Sequence, residues 1–178
     1  TEKRLLDRRL TLLQEEGIRF RVNADVGRNV PVEELRRNSD VLLLAGGATV
    51  PRDLKVPGRE LGGIHFAMEY LPLQNRICEG EAIREGECIS AKDRRVAIIG
   101  GGDTGADCLG TALRQGAASV HQFELLPAPP KERTSENPWP LWPNVFRTSS
   151  AHEEGGVREF CISTKRFSGR DGRVERLH

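Results

Sequence analysis

The 178-residue sequence predicts an α/β protein with a parallel sheet, and three observations support this prediction. Two continuous apolar runs, residues 41–45 and 96–99, are typical of strands that are buried on both faces of a parallel sheet. A helical pattern follows the second run at residues 103–115, and another strand pattern follows that helix at 119–124. Such alternation of strands and helices indicates parallel strands joined by helical crossovers.

The first residues are expected to form an amphipathic helix. Leucines recur on one helical face over residues 5–16, and Gly17 follows as a C-terminal stop. Apolar and basic side chains then alternate at residues 18–22, which predicts a strand. A helix followed by a strand repeats the α/β theme of the later residues.

Glycines and prolines cluster at residues 46–63, so regular structure is not expected there. We interpret this segment as a crossing between two domains, which we predict at residues 1–63 and 64–178. A short helix is predicted at 65–71, and residues 158–174 have the pattern of a hairpin.

Composition excludes several classes of function. Lysine and arginine total 27 against 26 for aspartate and glutamate, and a net charge of +1 gives no electrostatic basis for binding nucleic acid. The apolar runs are far shorter than the roughly 20 residues of a membrane-spanning helix, and the charged N-terminus is unlike a secretory signal. We therefore expect a cytoplasmic protein with no membrane or nucleic-acid partner.

The cysteines are too widely spaced for a CxxC metal or redox site; they are Cys78, Cys88, Cys108 and Cys161. We expect reduced structural thiols, with a disulfide between Cys78 and Cys88 as the alternative. The histidine and two glutamates at 152–154 cannot easily converge on one ion, so no metal site is expected.

The main functional motif is Gly100-Gly101-Gly102-Asp103-Thr104-Gly105, which satisfies G-x-G-x-x-G between an apolar strand and a helix. In this context Gly100 allows a tight turn, Gly102 lets a pyrophosphate approach the backbone, and Gly105 lets the helix pack closely on the strand. The helix N-terminus offers N–H groups to the phosphates. The motif predicts a Rossmann-like domain that binds a dinucleotide; the alternative is a turn that needs glycines for shape alone.

Glu124 ends the next strand, near the offset of roughly 20 residues at which an acidic residue binds the adenosine ribose of a dinucleotide. A carboxylate there accepts hydrogen bonds from the ribose hydroxyls of NAD and repels the 2′-phosphate of NADP. Lys131 and Arg133 follow closely, either as cations for that phosphate or as solvated side chains. The choice between NAD and NADP therefore stays open.

The motif lies within segments that resemble one family. The segments VAIIGGGDTGADCLGTALRQGAASVHQFELLPAPPKER, NPWPLWP and TSSAHEEG are similar to the small (β) subunit of glutamate synthase. Upstream, EGIRFRVNADVGRNV and DVLLLAGGATVPRDLKVPGRELGGIHFAMEYL are similar to the flavin domain of the same subunit. The resemblance covers essentially the whole chain.

The resemblance implies a module of two dinucleotide folds, one for FAD and one for NAD(P)H, with this chain beginning inside the FAD half. It places the iron–sulfur clusters outside this chain and makes the glutamate synthase large subunit the partner. The implied reaction passes hydride from NAD(P)H to FAD and electrons through the clusters to the large subunit, which makes glutamate from glutamine and 2-oxoglutarate. Because cofactors carry this chemistry, no catalytic side chain is expected here.

The resemblance also implies binding residues. It puts the pyrophosphate of the nicotinamide dinucleotide on residues 100–105 and the adenosine ribose at Glu124, where bacterial relatives often carry an arginine pair suited to NADP. On the flavin side, Val26 resembles the segment whose backbone meets the FAD adenine. A strand end of small residues that passes close to the flavin corresponds to Gly46, Gly47 and Ala48.

Two other functions stay open from the sequence. A related flavin-dependent NAD(P)H reductase would pass electrons to a different acceptor, and a regulatory module would bind NAD(P) without turning it over. The proline-rich loop at residues 126–143 also has two interpretations, because Trp139 and Trp142 suit either an exposed docking surface or packing beneath the loop.

Overall fold

The computed structural model describes residues 2–48, 50–84 and 86–178. It divides into two compact units, Thr1–Gly47 and Ala48–His178. The crossing predicted at residues 46–63 therefore belongs almost wholly to the second unit. The assignment of one cofactor to each domain stays a prediction.

The described residues of the first unit contain two helices, α1 (Lys3–Glu15) and α2 (Val32–Arg37). The first confirms the predicted helix, although none of its side chains is buried. The second begins after Pro31, with two glutamates in its first turn and two arginines in its last. This order of charges complements the helix dipole.

The two strands predicted in the first unit, at residues 18–22 and 41–45, are wrong. Neither segment pairs with a strand in the described part of the chain. An extended segment becomes a stable strand only when a neighbour satisfies its backbone hydrogen bonds. The apolar side chains of the second segment consequently lie in solvent, with Leu43 88% and Leu44 94% exposed.

The second unit is built on a parallel sheet of three strands, β1 (Arg95–Ile99), β2 (Ser119–Phe123) and β3 (Val157–Glu159), in that spatial order. Val96 lies opposite Val120, and His121 lies opposite Val157. The predicted α/β class with a parallel sheet is confirmed. The burial of residues 96–99 on both faces is wrong, because Ala97 and Ile99 on one face of β1 are exposed. The start of the predicted hairpin at residue 158 is wrong, because residues 157–159 form β3 and the hairpin begins at Phe167. A strand of three residues is too short to show a hydrophobic period in the sequence.

The helix that joins β1 to β2, α4 (Asp103–Arg114), buries its apolar face against the sheet. Leu109 and Ala112 are 0% exposed and cluster with Ala91 and Val120. Burial of one leucine of this kind contributes about 1.5–3 kcal/mol. The apolar face of α4 therefore packs on the sheet and forms part of the core.

Two further helices pack against α4. They are α3 (Ala67–Cys78), which extends the short helix predicted at 65–71, and the single turn α5 (Ser150–Glu153). All four cysteines are free thiols, and burial raises the pKa of Cys108 to about 11. In the described ranges, no helix has the length and apolarity to cross a membrane.

The C-terminal residues form the predicted hairpin, with β4 (Phe167–Arg170) antiparallel to β5 (Arg173–Leu177). The segment predicted as a crossing is bound to this hairpin. The Gly62 N–H donates to the Gly172 carbonyl at 2.8 Å, and the Val174 N–H donates to the Gly62 carbonyl at 3.0 Å. The glycine-rich segment is therefore an integral edge of the second unit.

Candidate functional site

The candidate site is the turn between β1 and α4, formed by the motif residues 100–105. Gly100 directly follows the last residue of β1 and has a φ of 121°. Residues with a Cβ rarely adopt this backbone conformation, so the turn requires a glycine here. The Gly100 N–H still donates to the Phe123 carbonyl at 2.8 Å, which aligns the turn with the end of β2.

Gly105 lies where α4 comes closest to the turn and to β2. A Cβ atom at this position would stand 2.5 Å from Nε2 of Gln122, and closer still to the carbonyl oxygen of Gly100. Real Cβ atoms essentially never approach other atoms so closely. Only glycine fits here, in agreement with the close helix packing that the third glycine of the motif allows.

Gly102 has open surroundings instead. A Cβ atom there would meet no described atom within 4 Å, and Gly102, Asp103 and Thr104 are all exposed. Among the described residues, no side chain caps α4 at Gly102. The first N–H groups of a helix lack intrahelical partners and carry a partial positive charge. The turn can therefore accept an anionic group from solvent.

The carboxylate of Glu124 reaches the same turn from the end of β2. Its Oε2 accepts the Gly101 N–H at 2.7 Å, and its Oε1 accepts the Leu126 N–H at 3.0 Å. Its own N–H donates to the Glu159 carbonyl at 2.8 Å, so the third strand fixes the backbone as well. The structure thus brings the predicted acidic residue to the edge of the predicted glycine turn.

A second side chain of β2 contacts the turn and escaped sequence-based prediction. Gln122 is 1% exposed, and its Nε2 donates to the Gly100 carbonyl at 2.9 Å. Its Oε1 lies 2.9 Å from Nε2 of His152. The available signal was a polar residue at an inward-facing position of an alternating strand, two residues before Glu124.

The hydrogen bonds define the protonation state of His152. Its Nδ1 accepts the Ser149 N–H at 3.1 Å, which leaves Nε2 as the protonated nitrogen that donates to Gln122. Burial, followed by the positive charge of Arg158, lowers the pKa of His152 below its ordinary value of 6.5. The neutral ring that this network needs is therefore the favoured form near neutral pH.

The side chains of His152 and Glu154 are engaged in contacts within the fold. His152 uses both ring nitrogens in the network to Ser149 and Gln122, and Glu154 forms an ion pair with Arg114. Within the part of the chain that the structure describes, no cluster of three histidine, cysteine or acidic side chains is placed to hold a metal ion.

The two cations considered for a 2′-phosphate lie on the loop after β2. Lys131 is exposed, and the Arg133 guanidinium donates to the carbonyls of Asn137 and Leu141 at 3.1 and 3.0 Å. Arg133 therefore organises its own loop.

The same loop carries the two tryptophans. The interpretation that they pack beneath the loop is wrong, because Trp139 is 82% and Trp142 is 77% exposed.

The residues proposed for FAD lie in both units. Val26 forms an isolated bridge with Val30, and the Asp25 carbonyl accepts the Val30 N–H at 3.2 Å to close a tight loop. A Cβ atom on Gly46 or Gly47 would meet no described atom within 4 Å. Their backbone is open, as close approach of a ligand requires.

Comparisons with known proteins place the chain in context. No protein-family model matches it. A ferredoxin reductase from Rhodopseudomonas palustris has a similar structure, with a TM-score of 0.42 and 17% identity over 71% of this chain and 27% of that chain. An FAD-dependent pyridine nucleotide-disulphide oxidoreductase from Desulfovibrio vulgaris gives a TM-score of 0.43 and 15% identity over 71% of this chain and 29% of its own.

Sequence similarity is much stronger. The glutamate synthase [NADPH] small chain of Mycobacterium tuberculosis is 53% identical over 99% of this chain, which spans 37% of that protein. The corresponding small chain of Bacillus subtilis is 41% identical over 99% of this chain and 37% of its own length. Glutamate synthase [NADH] of Schizosaccharomyces pombe is 45% identical over 99% of this chain and 9% of its own length. Over nearly its whole length, this chain is thus homologous to a segment that makes up about a third of the length of glutamate synthase small chains.

Proposed function

We propose that this chain binds NAD(P)H at residues 100–105 and contributes to hydride transfer from NAD(P)H to FAD in a glutamate synthase small chain. The observation that carries the proposal is the open, uncapped glycine turn with the Glu124 carboxylate held at its edge. Identity of 53% to the M. tuberculosis small chain over 99% of this chain supports the same assignment.

The fit of the turn to a dinucleotide follows from its chemistry. Gly102 has no Cβ to block the approach of a pyrophosphate, and the first turn of α4 presents its N–H groups and the positive end of the helix dipole. Asp103 and Thr104 contribute through their backbone N–H groups, since a carboxylate at Asp103 would repel phosphate. When bound, the nicotinamide would supply the hydride, and these residues would bind and orient the dinucleotide.

Glu124 supports a preference for NADH. Its carboxylate lies at the turn, where it would accept hydrogen bonds from the ribose hydroxyls and repel a 2′-phosphate. The names of the relatives include both cofactors, NADPH in M. tuberculosis and NADH in S. pombe. Lys131 and Arg133 remain on the neighbouring loop as the alternative, NADP-binding set.

The cofactor preference is tested by Glu124→Arg, measured as kcat/KM for NADH and NADPH in the full-length protein. We expect the preference to shift towards NADPH by at least about tenfold, because a charge that repels the 2′-phosphate becomes one that attracts it. Lys131→Ala is the matched control on the following loop. A shift in the control with none in Glu124→Arg would assign the choice of cofactor to the loop.

The remaining parts of the proposal rest on homology. FAD would be held near Val26 and near Gly46, Gly47 and Ala48, and iron–sulfur clusters outside this chain would pass electrons to the large subunit for glutamate biosynthesis. The protein would work in the cytoplasm, where its free thiols stay reduced.

The central test is reduction of the full-length protein by NADH and NADPH, with Gly102→Ala as the diagnostic variant. We expect flavin absorbance to bleach in the unsubstituted protein. Because Gly102 is the N-cap of α4, where alanine is less favourable than glycine, and a Cβ there meets open space, we expect the melting temperature to fall by only about a few degrees. The added Cβ should weaken dinucleotide binding by about tenfold or more. Equal affinity in the folded variant would contradict binding at this turn.

The same experiment separates the alternatives. A protein that binds NADH without any flavin reduction would be a non-catalytic sensor. Flavin reduction with no glutamate formed in the presence of the large subunit, glutamine and 2-oxoglutarate would indicate a related reductase with another electron acceptor.

A further inference from the structure

One peptide unit of the glycine turn is held at both of its polar groups by β2 and the residue that follows it. The carbonyl of Gly100 accepts a hydrogen bond from Gln122 at 2.9 Å, and the N–H of Gly101 donates to Glu124 at 2.7 Å. These two groups belong to the same planar peptide unit and point in opposite directions. Two bonds of this kind prevent the plane from rotating.

The spacing of the two side chains suits this task. Gln122 and Glu124 are two residues apart, so their side chains leave the strand on the same face, about 7 Å from each other along it. Gly105 has no Cβ, and the Gln122 amide nitrogen lies only 2.5 Å from where a Cβ would stand, so a larger residue would displace it. The third glycine of the motif therefore leaves room for the Gln122 side chain and for the close packing of α4.

The orientation of the Gln122 amide is determined by its neighbours. Only an N–H group can face the Gly100 carbonyl, so Oε1 must face His152 and must receive a hydrogen. Neutral His152 donates from Nε2 while Nδ1 accepts the Ser149 N–H. A continuous chain of hydrogen bonds thus runs from the start of α5 through β2 to the glycine turn.

We infer that Gln122, oriented by His152, is a positioning residue for the dinucleotide. Together with Glu124 it holds the Gly100–Gly101 peptide unit in its binding orientation before the ligand arrives. Three consecutive glycines have more conformational freedom to lose than any other tripeptide, and a preorganised turn avoids this loss at the moment of binding. The inference rests on the proposed function of the turn and assigns its rigidity to two residues outside the motif.

The test compares four variants of the full-length protein. Gln122→Met removes both hydrogen bonds at nearly constant length, and His152→Phe removes the donor to Gln122. His152→Gln restores an N–H donor to Gln122. Gln115→Met is the control, since Gln115 accepts hydrogen bonds from Tyr70 and from the Ala91 N–H, contacts remote from the turn.

Two measurements are made on each folded variant. Calorimetric titration with ADP-ribose, which carries the pyrophosphate and adenosine ribose without the reactive ring, gives the Kd. The rate of hydrogen exchange at the Gly101 amide, measured without ligand, reports how firmly the Gly100–Gly101 peptide unit is held. We expect Gln122→Met to raise the Kd for ADP-ribose about tenfold and to accelerate exchange at the Gly101 amide. His152→Phe should have both effects to a smaller degree. His152→Gln and Gln115→Met should match the unsubstituted protein in both.

The two measurements separate this inference from the proposed function. Unchanged Kd and exchange in folded Gln122→Met or His152→Phe would overturn the inference, as would an equal effect of Gln115→Met. Failure of the unsubstituted protein to bind ADP-ribose, NADH or NADPH would overturn the proposed function, while exchange at Gly101 would still test the hold on the peptide unit. If Gln122→Met does not fold, the contrast between His152→Phe and His152→Gln decides.

Discussion

Two apolar runs in this chain end in glycines, and their surroundings differ. The run at 96–99 forms most of a paired strand, and the glycine turn that follows is bonded to Gln122 and Glu124. The run at 41–45 has no partner in the described residues, and a Cβ on either glycine that follows it would meet no described atom within 4 Å. Glycine permits the backbone conformation of such a turn, and side chains from a neighbouring strand hold the turn in place.

The same contrast governs the energetics of the two regions. Leu109 of the second unit is 0% exposed, whereas Leu44 of the first is 94% exposed. Burying a leucine contributes about 1.5–3 kcal/mol, and only the second unit gains it at these positions. Leucines in the two units thus contribute very differently to stability.

The largest effect is expected from Leu109→Ala, compared with Leu44→Ala. The first substitution leaves a cavity in the core and should lower the free energy of unfolding by about 2–5 kcal/mol. The second changes a solvated side chain and should change it by less than about 0.5 kcal/mol. Urea denaturation followed by circular dichroism measures both, and similar losses would show that Leu44 is buried in solution.

An intermediate effect is expected from Gly105→Ala, compared with Gly46→Ala. A Cβ at Gly105 would displace the Gln122 amide and the Gly100 carbonyl, at a cost of about 1–3 kcal/mol in the free energy of unfolding. The same substitution at Gly46 meets open space and should be nearly neutral. Thermal denaturation compares them, and a neutral Gly105→Ala would refute the close packing of α4 on the turn.

The smallest effect is a dependence of stability on pH through His152. Its folded pKa is lowered, so between 6.5 and that lower value the unfolded state binds more protons than the folded state. The contribution of His152 is full above pH 6.5 and decreases as the pH falls towards the folded pKa. Melting temperatures of the unsubstituted protein and of His152→Gln, which does not titrate and keeps an N–H donor to Gln122, should therefore agree above pH 6.5. As the pH falls below 6.5, the melting temperature of the unsubstituted protein should fall below that of His152→Gln; a constant difference would argue against this titration.

Sequence patterns predicted the elements whose cause is local. β1, α4 and β2 follow from apolar periodicity, and the glycine turn follows from backbone conformations that only glycine adopts readily. The position of Glu124 at the turn follows from the order of strand, helix and strand, since the parallel strands of such a unit end at the same edge of the sheet.

The features that escaped prediction depend on residues distant in sequence. The segments at 18–22 and 41–45 have strand patterns, but pairing needs a partner that no local pattern specifies. The same holds for Gln122, whose role depends on His152, 30 positions further along the chain. A buried polar residue in a strand is a visible anomaly, while its partner becomes known only from the fold.

The contact between Gly62 and the C-terminal hairpin has a consequence for the architecture of the second unit. The segment that leads into its sheet and the hairpin that follows the sheet are hydrogen-bonded neighbours, through Gly172 and Val174. A module whose incoming and outgoing segments lie side by side can be inserted into a surface loop of another fold without forcing the two ends of that loop apart.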